Sequence, residues 1–419
     1  MVMEIAAIKR YRSSKRGMAS SSCSWCSSSN TERRRRTRTR RTKTRMRGEF
    51  VQRRSQSVTN GERESVGNGV VSVSETKSKP DWAGAGVDSS PLSRVVNALI
   101  NCPPVFSLMK MAARRVLIQT AERAGVEWSR EARALTESPR VHHLFHALRD
   151  DRVEFPSYYT QPFHAYDEGN LCWDAAAEAE SATYAMGLRV WKEENLHYEE
   201  AQDRLRNSFL DAVDAYRRSG RSSTGGNTGA FESILDIGCS VGVSTRALRE
   251  RYDEATTIRG LDLSPHMLAV AEFREEEHQQ QHENKGAEVT IGAPPRTRIT
   301  YMHANAEHTG LDAASVSLAT LCFVCHELPS DATRAIFEEA FRVLEPGGIL
   351  ALTDNNPRST VIQNLPPVLF TLMKSTEPWS DEYYVLDMEA LLRDVGFARV
   401  SSVQSDPRHR TVMATKPRI

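Results

Sequence analysis

Ser233-Ile-Leu-Asp-Ile-Gly-Cys-Ser-Val-Gly-Val-Ser-Thr245 is the stretch on which the fold turns. Its first five residues are a short apolar run interrupted only by Asp236 and Ser233, as in a strand buried in a parallel sheet. Gly238 and Gly242 then allow a tight turn, and a helix pattern follows over 244–251. Three chemistries use a strand, a glycine turn and a helix in this order. A dinucleotide site wants G-x-G-x-x-G, so that backbone can approach a pyrophosphate at the helix N-terminus. Here Gly238 and Gly242 are four apart, Ser240 takes the middle place and no third glycine follows, a poor fit. A serine-hydrolase elbow wants G-x-S-x-G, which Gly238-Cys-Ser240-Val-Gly242 matches literally, and Asp354 and His409 follow in the required order. Against that reading, this is the first strand of its domain, where the elbow normally follows several, and no HGG-type loop precedes it. The third chemistry emerges from the residues further along.

Downstream, strands are expected over 233–237, 258–261, 299–303, 316–322, 349–353, 398–404 and 410–415, with helices over 244–251, 265–277, 330–344 and 387–395. The alternation is the βαβ signature of a doubly wound sheet. The Gln-, Glu-, Gly- and Pro-rich stretch 275–298 reads as a surface excursion without chemistry. Upstream, order is expected from Pro91, with two amphipathic helices separated by Pro103-Pro104 inside a small helical unit over 91–150. An aromatic, turn-rich stretch over 155–170 leads to helices over 174–191 and 198–217, then a Ser/Gly/Thr linker over 218–229.

The formal charge of +1 on 419 residues conceals an asymmetry: residues 1–60 hold 17 Lys/Arg and three acids (Glu4, Glu32, Glu49), +14, so residues 61–419 carry −13. A mildly acidic globule with a basic tail follows, and a globally basic nucleic-acid binder does not. Residues 1–80 have too little apolar periodicity to offset chain entropy and are expected to be disordered. Their Arg- and Ser-rich, acid-poor composition is that of an organelle transit peptide, for a chloroplast or other plastid before a mitochondrion, with Met18 as a candidate start. The rival is a solvated tail whose basic run over 33–47 contacts RNA or anionic lipid. No run of 18 apolar residues suits a transmembrane helix. Seven cysteines, an odd and sparse count, argue against a disulfide framework. Cys23-x-x-Cys26 lies in the tail and is given no role. Cys322-x-x-Cys325 follows a strand end with no second ligand pair spaced for zinc, and reads as buried apolar thiols.

Asp236, Gly238 and Gly242 resemble the D-x-G-x-G-x-G turn of class I S-adenosylmethionine (SAM)-dependent methyltransferases, and further matches follow in register. Gly260-Leu-Asp262 ends the second strand with a carboxylate 26 residues after Asp236, and His303-Ala-Asn305-Ala-Glu307 closes the third. Arg342-Val-Leu-Glu-Pro-Gly-Gly348 is similar to the family's L-x-P-G-G turn, and Leu391-Leu-Arg-Asp-Val-Gly-Phe397 to its G-F entry to strand six. The resemblance implies an α/β, Rossmann-like seven-stranded SAM-methyltransferase fold of order 3-2-1-4-5-7-6 with strand seven antiparallel. That domain would span 230–419, behind a helical lid domain over 91–217 and the disordered tail. It also implies SAM as cofactor. Gly238, Cys239 and Gly242 would admit its methionine part, and Asp236 would hold the turn and the ammonium region. Asp262 would accept both ribose hydroxyls, each such charge-assisted bond contributing about 1.5–3 kcal/mol. Met267 would lie on the adenine, and Asn305, with Ala306 beside it, would meet the exocyclic amine. Ser240 departs from the family's middle glycine, and Asn305 stands where Asp is common. Tyr158-x-x-x-Pro162-Phe-His164, Asp354-Asn-Asn-Pro357 and Asp406-Pro-Arg-His-Arg410 resemble plastid and cyanobacterial relatives of the ubiquinone/menaquinone C-methyltransferases.

A sulfonium methyl is already activated, so the protein mostly aligns the reactants and excludes water. Strand four ends Leu321-Cys-Phe-Val-Cys-His326-Glu327, at the sheet edge where ligands sit. The absence there of (D/N)-P-P-(Y/F) argues against a base-methylating nucleic-acid enzyme. His326 is the candidate catalytic base. His164 and Tyr166 from the aromatic stretch, and Tyr383 from an insert over 357–384, are expected on the substrate side. The apolar character of both segments predicts a small or medium, partly hydrophobic acceptor of quinone, phenol or lipid-like type, with no metal and no nucleic acid, and leaves room for peripheral membrane contact. Two further readings are RNA or protein methylation anchored by the Arg-rich tail and a SAM-sensing scaffold without turnover.

Overall fold

The computed structural model describes residues 78, 80, 102–164, 166–220, 230–285, 297–366, 373 and 375–418. The expectations for the tail, for Cys23 and Cys26, for a helix before Pro103 and for most of the 218–229 linker lie outside the described residues.

Helices α1 (Pro103–Arg123), α2 (Trp128–Glu137), α3 (Pro139–Leu148), α4 (Trp173–Val190) and α5 (Tyr198–Ser219) precede the sheet. Then come β1 (Ser233–Ile237), α6 (Val243–Arg251), β2 (Thr257–Asp262), α7 (Pro265–Lys285), β3 (Ile299–His303), β4 (Val316–Cys322), α8 (Ser330–Val343) and β5 (Leu344–Asn355). Two short helices, α9 (Thr360–Gln363) and α10 (Ser380–Val385), lead to α11 (Met388–Val395), β6 (Ala398–Gln404) and β7 (His409–Thr415). The seven strands form one sheet of order β3-β2-β1-β4-β5-β7-β6, parallel except for β7, which runs antiparallel to both β5 and β6. This is the order the motifs implied.

The central strands read as continuous apolar runs because both sheet faces are covered. Leu235 and Ile237 pack with Phe337 and Ala340 of α8, Tyr383 of α10 and Leu392 of α11. Ile234 packs on the other face with Phe209 and Val213 of α5, Leu248 of α6 and Leu268 of α7. Burying each such Leu, Ile or Phe contributes about 1.5–3 kcal/mol. α5 is further tied to the sheet by the Tyr216 hydroxyl, 2.7 Å from Thr415 Oγ1 and 3.0 Å from the Arg399 carbonyl. α11 begins where Asp387 accepts from the Ala390 N–H at 2.9 Å and ends at Gly396 in the left-handed region.

Two boundaries differ by more than two residues from the sequence reading. α7 continues to Lys285 instead of giving way at residue 275. The extra turns are rich in Glu and Gln, which favour helix, and Glu275 is fully buried against Arg249 of α6. β5 starts at Leu344, ahead of the Gly347-Gly348 turn, with a register irregularity opposite Val316 and Leu318 that accommodates it. Among the described residues no helix is long and apolar enough to cross a membrane.

Candidate cofactor and acceptor site

A cavity of about 320 Å³ opens at the carboxyl ends of β1, β2 and β4, beneath a roof made by residues 158–170 and α4. Its position follows from topology, since β1 and β4 diverge there to opposite crossovers.

The glycine turn forms the floor. Gly238 adopts φ +67°, and a Cβ there would lie 2.7 Å from Val324 Cγ2. Gly242 caps α6 at φ +78°, where a Cβ would meet the Tyr301 hydroxyl. Gly238, Cys239 and Ser240 line the cavity. Gly242 does not: its conformation, rather than contact with the cavity, requires glycine. Asp236 holds the turn, as expected, but does not line the cavity where it would meet an ammonium group. It is wholly buried beneath the turn and accepts from Ser244 Oγ (2.6 Å), Thr245 Oγ1 (2.7 Å) and Thr320 Oγ1 (2.7 Å). Burial pushes its carboxyl up, against the pull of these three bonds.

Asp262 stands at the end of β2 facing the cavity. Oδ2 accepts from the Ser240 N–H and Oδ1 from the Ser264 N–H, both at 2.8 Å. A carboxylate has about four lone-pair sites, so one on Oδ2 remains for a ribose hydroxyl, and the second on Oδ1 is met only by a long contact from the Tyr159 hydroxyl. Burial raises this carboxyl, opposed by the Ser264 and Ser240 N–H groups. Met267, Asn305 and Ala306 line the same end. Asn305 Oδ1 already accepts from the Glu307 N–H at 2.9 Å, so its side chain is held in place. Tyr159 roofs this end, its hydroxyl 3.5 Å from Asp262 Oδ1.

Arg206 of α5 also lines the cavity, beside Cys322, with its guanidinium 5.4 Å from the Phe323 ring centroid. The Gln202 amide, donating to the Thr183 carbonyl, accepts from Arg206 Nε at 2.9 Å. Burial lowers the Arg206 pKa from its usual value, yet guanidinium stays charged. Sequence reasoning missed this cation, which no motif marks within a helix full of charges.

His164, His326 and Glu327 line the cavity close to one another. His326 Nδ1 lies 2.9 Å from Asp354 Oδ1, and its backbone N–H donates to Oδ2 at 3.1 Å. Burial disfavours the charged ring, but the Asp354 charge and hydrogen bond outweigh it, and its pKa rises to about 9. Asp354 is held down in return, its partner overcoming burial. A ring with a raised pKa must first give up its proton before it can take the general-base role expected of it. Glu327 Oε2 accepts from Asn170 Nδ2 at 3.1 Å, and burial lifts its pKa to about 7 against the pull of His326. His164 is kept neutral by burial and by the neighbouring His326. Its backbone takes φ +53° and donates to the Thr376 carbonyl at 2.7 Å. Ser240 and Phe323 are also non-glycine residues with positive φ. Strain of this kind collects at ligand sites.

Tyr166 lines the cavity, its hydroxyl donating to Glu178 Oε2 at 2.6 Å. Tyr383 does not reach the cavity: it is buried behind His326, donating to the Asn355 carbonyl. The hydrolase constellation is not assembled. Ser240 Oγ lies 3.4 Å from Met267 Sδ, Asp354 belongs to His326, and His409 Nδ1 is 2.8 Å from Asp406 Oδ2. Cys322 and Cys325 are unpaired thiols whose pKa values burial drives upward, as befits inert cysteines.

Residues 235–352 match the family described as Methyltransferase domain. The matched stretch runs from β1 to β5, and the sheet that contains it has the order set out above. It is 34% identical over 122 residues to the carboxy-S-adenosyl-L-methionine synthase of Chromohalobacter salexigens, covering 29% of this chain and 39% of that one. It is 31% identical over 137 residues to the demethylmenaquinone methyltransferase of Shouchella clausii, covering 32% and 51%. The chain therefore spans about half or less of the length of these relatives. A solved structure of phosphoethanolamine N-methyltransferase 2 from Haemonchus contortus, in complex with S-adenosyl-L-methionine, aligns at 17% identity and TM-score 0.33, covering 50% of this chain and 52% of that one.

Proposed function

We propose that the protein binds SAM in this cavity and transfers its methyl group to a small or medium, partly hydrophobic acceptor of quinone, phenol or lipid-like type. The observation that carries the reading is Asp262: a carboxylate at the end of β2, fixed by two backbone N–H groups, with an acceptor site left on Oδ2 and only the long Tyr159 contact on the second site of Oδ1. The rest of the cavity fits the same ligand. Gly238 leaves no side chain between the turn and Val324, Arg206 offers a buried cation to an amino-acid carboxylate, and Asp262 and Glu377 give the cavity the negative charge a sulfonium needs.

When bound, the cofactor supplies a methyl group already activated for in-line displacement. The chain's own part is placement. Asp262 orients the ribose, Met267 and Ala306 flank the base, Arg206 holds the carboxylate, and Tyr159 and Phe163 keep water from the reacting end. The cavity lining includes Met186, Phe323, Met373 and Trp379, which favours a ring or an alkyl chain over a polar solute as acceptor. The demethylmenaquinone methyltransferase among the relatives supports a quinol-type ring. Plastid import is proposed from the Arg- and Ser-rich, acid-poor composition of residues 1–80.

Calorimetric titration of the full chain with SAM and S-adenosylhomocysteine tests the reading. Asp262→Ala should weaken SAM binding ten- to a hundredfold, as expected for losing about 1.5–3 kcal/mol. Unchanged affinity in a folded variant overturns the assignment.

A further inference from the structure

The acceptor end contains a second ligand-like constellation that methyl transfer from SAM does not require. His164, His326 and Glu327 each present one donor atom, and the three atoms lie within 4.8 Å of one another. They come from separate parts of the chain: His164 from the roof, and His326 and Glu327 from the turn Cys325–Glu327 after β4. Each is held from behind. Asp354 lies 2.9 Å from His326 Nδ1, leaving Nε2 as the nitrogen available to a ligand. Asn170 donates to Glu327 Oε2. The His164 backbone is tied to Thr376, and its Nε2 is 3.8 Å from Glu377 Oε1.

We infer that His164, His326 and Glu327 form a divalent-metal site, of the zinc class, at the acceptor end of the cavity. Two imidazoles and one carboxylate are the donor set of open zinc sites, which keep a position for an exogenous oxygen. Donors on one such ion at about 2.1 Å stand about 3.4 Å apart, so the three groups need to close by little more than an ångström. The Asp354–His326 pair is the carboxylate–histidine arrangement that fixes the orientation of a ligating ring. Coordination displaces any proton from the His326 nitrogen it uses, as metal–imidazole bonds require. Asn355, Met373 and Trp379 line the same cavity. An ion there would anchor an acceptor through a hydroxyl or carbonyl oxygen and orient it toward the cofactor. That last role rests on the methyl-transfer reading; the metal site itself does not.

The test uses the full chain, stripped with chelator and titrated with Co²⁺ as a spectroscopic probe. One equivalent should bind with a visible d–d band, without the charge-transfer absorption of a thiolate ligand, and Zn²⁺ should displace it. His164→Ala and Glu327→Gln, neither of which empties the core, should each weaken Co²⁺ binding at least tenfold while SAM affinity, measured in parallel, changes little. Asp262→Ala should do the reverse, so failure of the metal site and failure of the cofactor reading are told apart. Absence of the band, a band carrying thiolate charge transfer, or Co²⁺ affinity unchanged in both variants overturns the inference.

Discussion

At Gly238 the backbone is left-handed and a Cβ would lie 2.7 Å from Val324. Gly238→Ala should therefore lose about 1–2 kcal/mol from the positive φ alone and weaken SAM binding as the turn shifts. Adding Val324→Ala relieves the contact but not the backbone strain, so the double variant should recover binding more than stability; denaturant unfolding beside calorimetry separates the two. Arg206 makes the complementary point. Arg206→Met keeps most of the volume beneath the cavity and removes the charge, so it should raise the SAM dissociation constant at least tenfold. A cofactor fragment lacking the carboxylate should bind both proteins alike. Equal SAM affinity in the variant would leave Arg206 only a packing role.

Among the elements, α7 holds two tests of how the helices are joined. Glu275 is buried against Arg249 of α6 and also accepts from Gln279 Nε2 at 2.8 Å. Removing one member of a buried pair strands the other, so Glu275→Ala should cost about 3–5 kcal/mol, and an apolar replacement of both partners much less. Urea midpoints at constant slope would measure this. At the start of α7, His266 packs on Phe145 of α3 and on Trp173 of α4, with ring centroids 4.6 and 4.8 Å away. Burial, helped by Arg149 and His142, lowers its pKa to about 4. The folded state thus prefers the neutral ring. Its contribution is complete above the unfolded pKa of about 6.5 and is lost as pH falls toward 4, a loss of about 2 kcal/mol after allowing for partial exposure. Melting temperature should fall across that window, and His266→Phe should flatten the acid limb.

Over the whole molecule, the helices before the sheet and the sheet itself share one cavity. Glu180 of α4 meets Arg246 of α6 at 2.7 Å and Arg274 of α7 at 3.0 Å, joining the roof to the nucleotide-binding half. A ligand held between roof and floor should stabilise both together, by about 2.7 kcal/mol at a hundredfold excess over its dissociation constant. A single, cooperative rise in melting temperature with SAM, absent in Asp262→Ala, would show it; two separate transitions would not. Much of this architecture was legible in the residues. β1, β3, β4 and β6 have the bounds that their apolar runs predict, and Asp262 lies at the end of β2 where the resemblance put it. Local periodicity and glycine turns are properties of neighbours in the chain, so the sequence by itself determined the strands and the glycine turn, while the strand order and the carboxylate beside the turn were what the resemblance of its motifs implied. Side-chain partnership is different, because it depends on which distant segments packing brings together. Only the tertiary structure decided that His326 pairs with Asp354 and His409 with Asp406, that Tyr383 turns away to Asn355, and that Arg206 enters the cavity from α5. It alone set His164 beside His326 across 162 residues of chain, because that meeting depends on how the roof folds over the sheet edge.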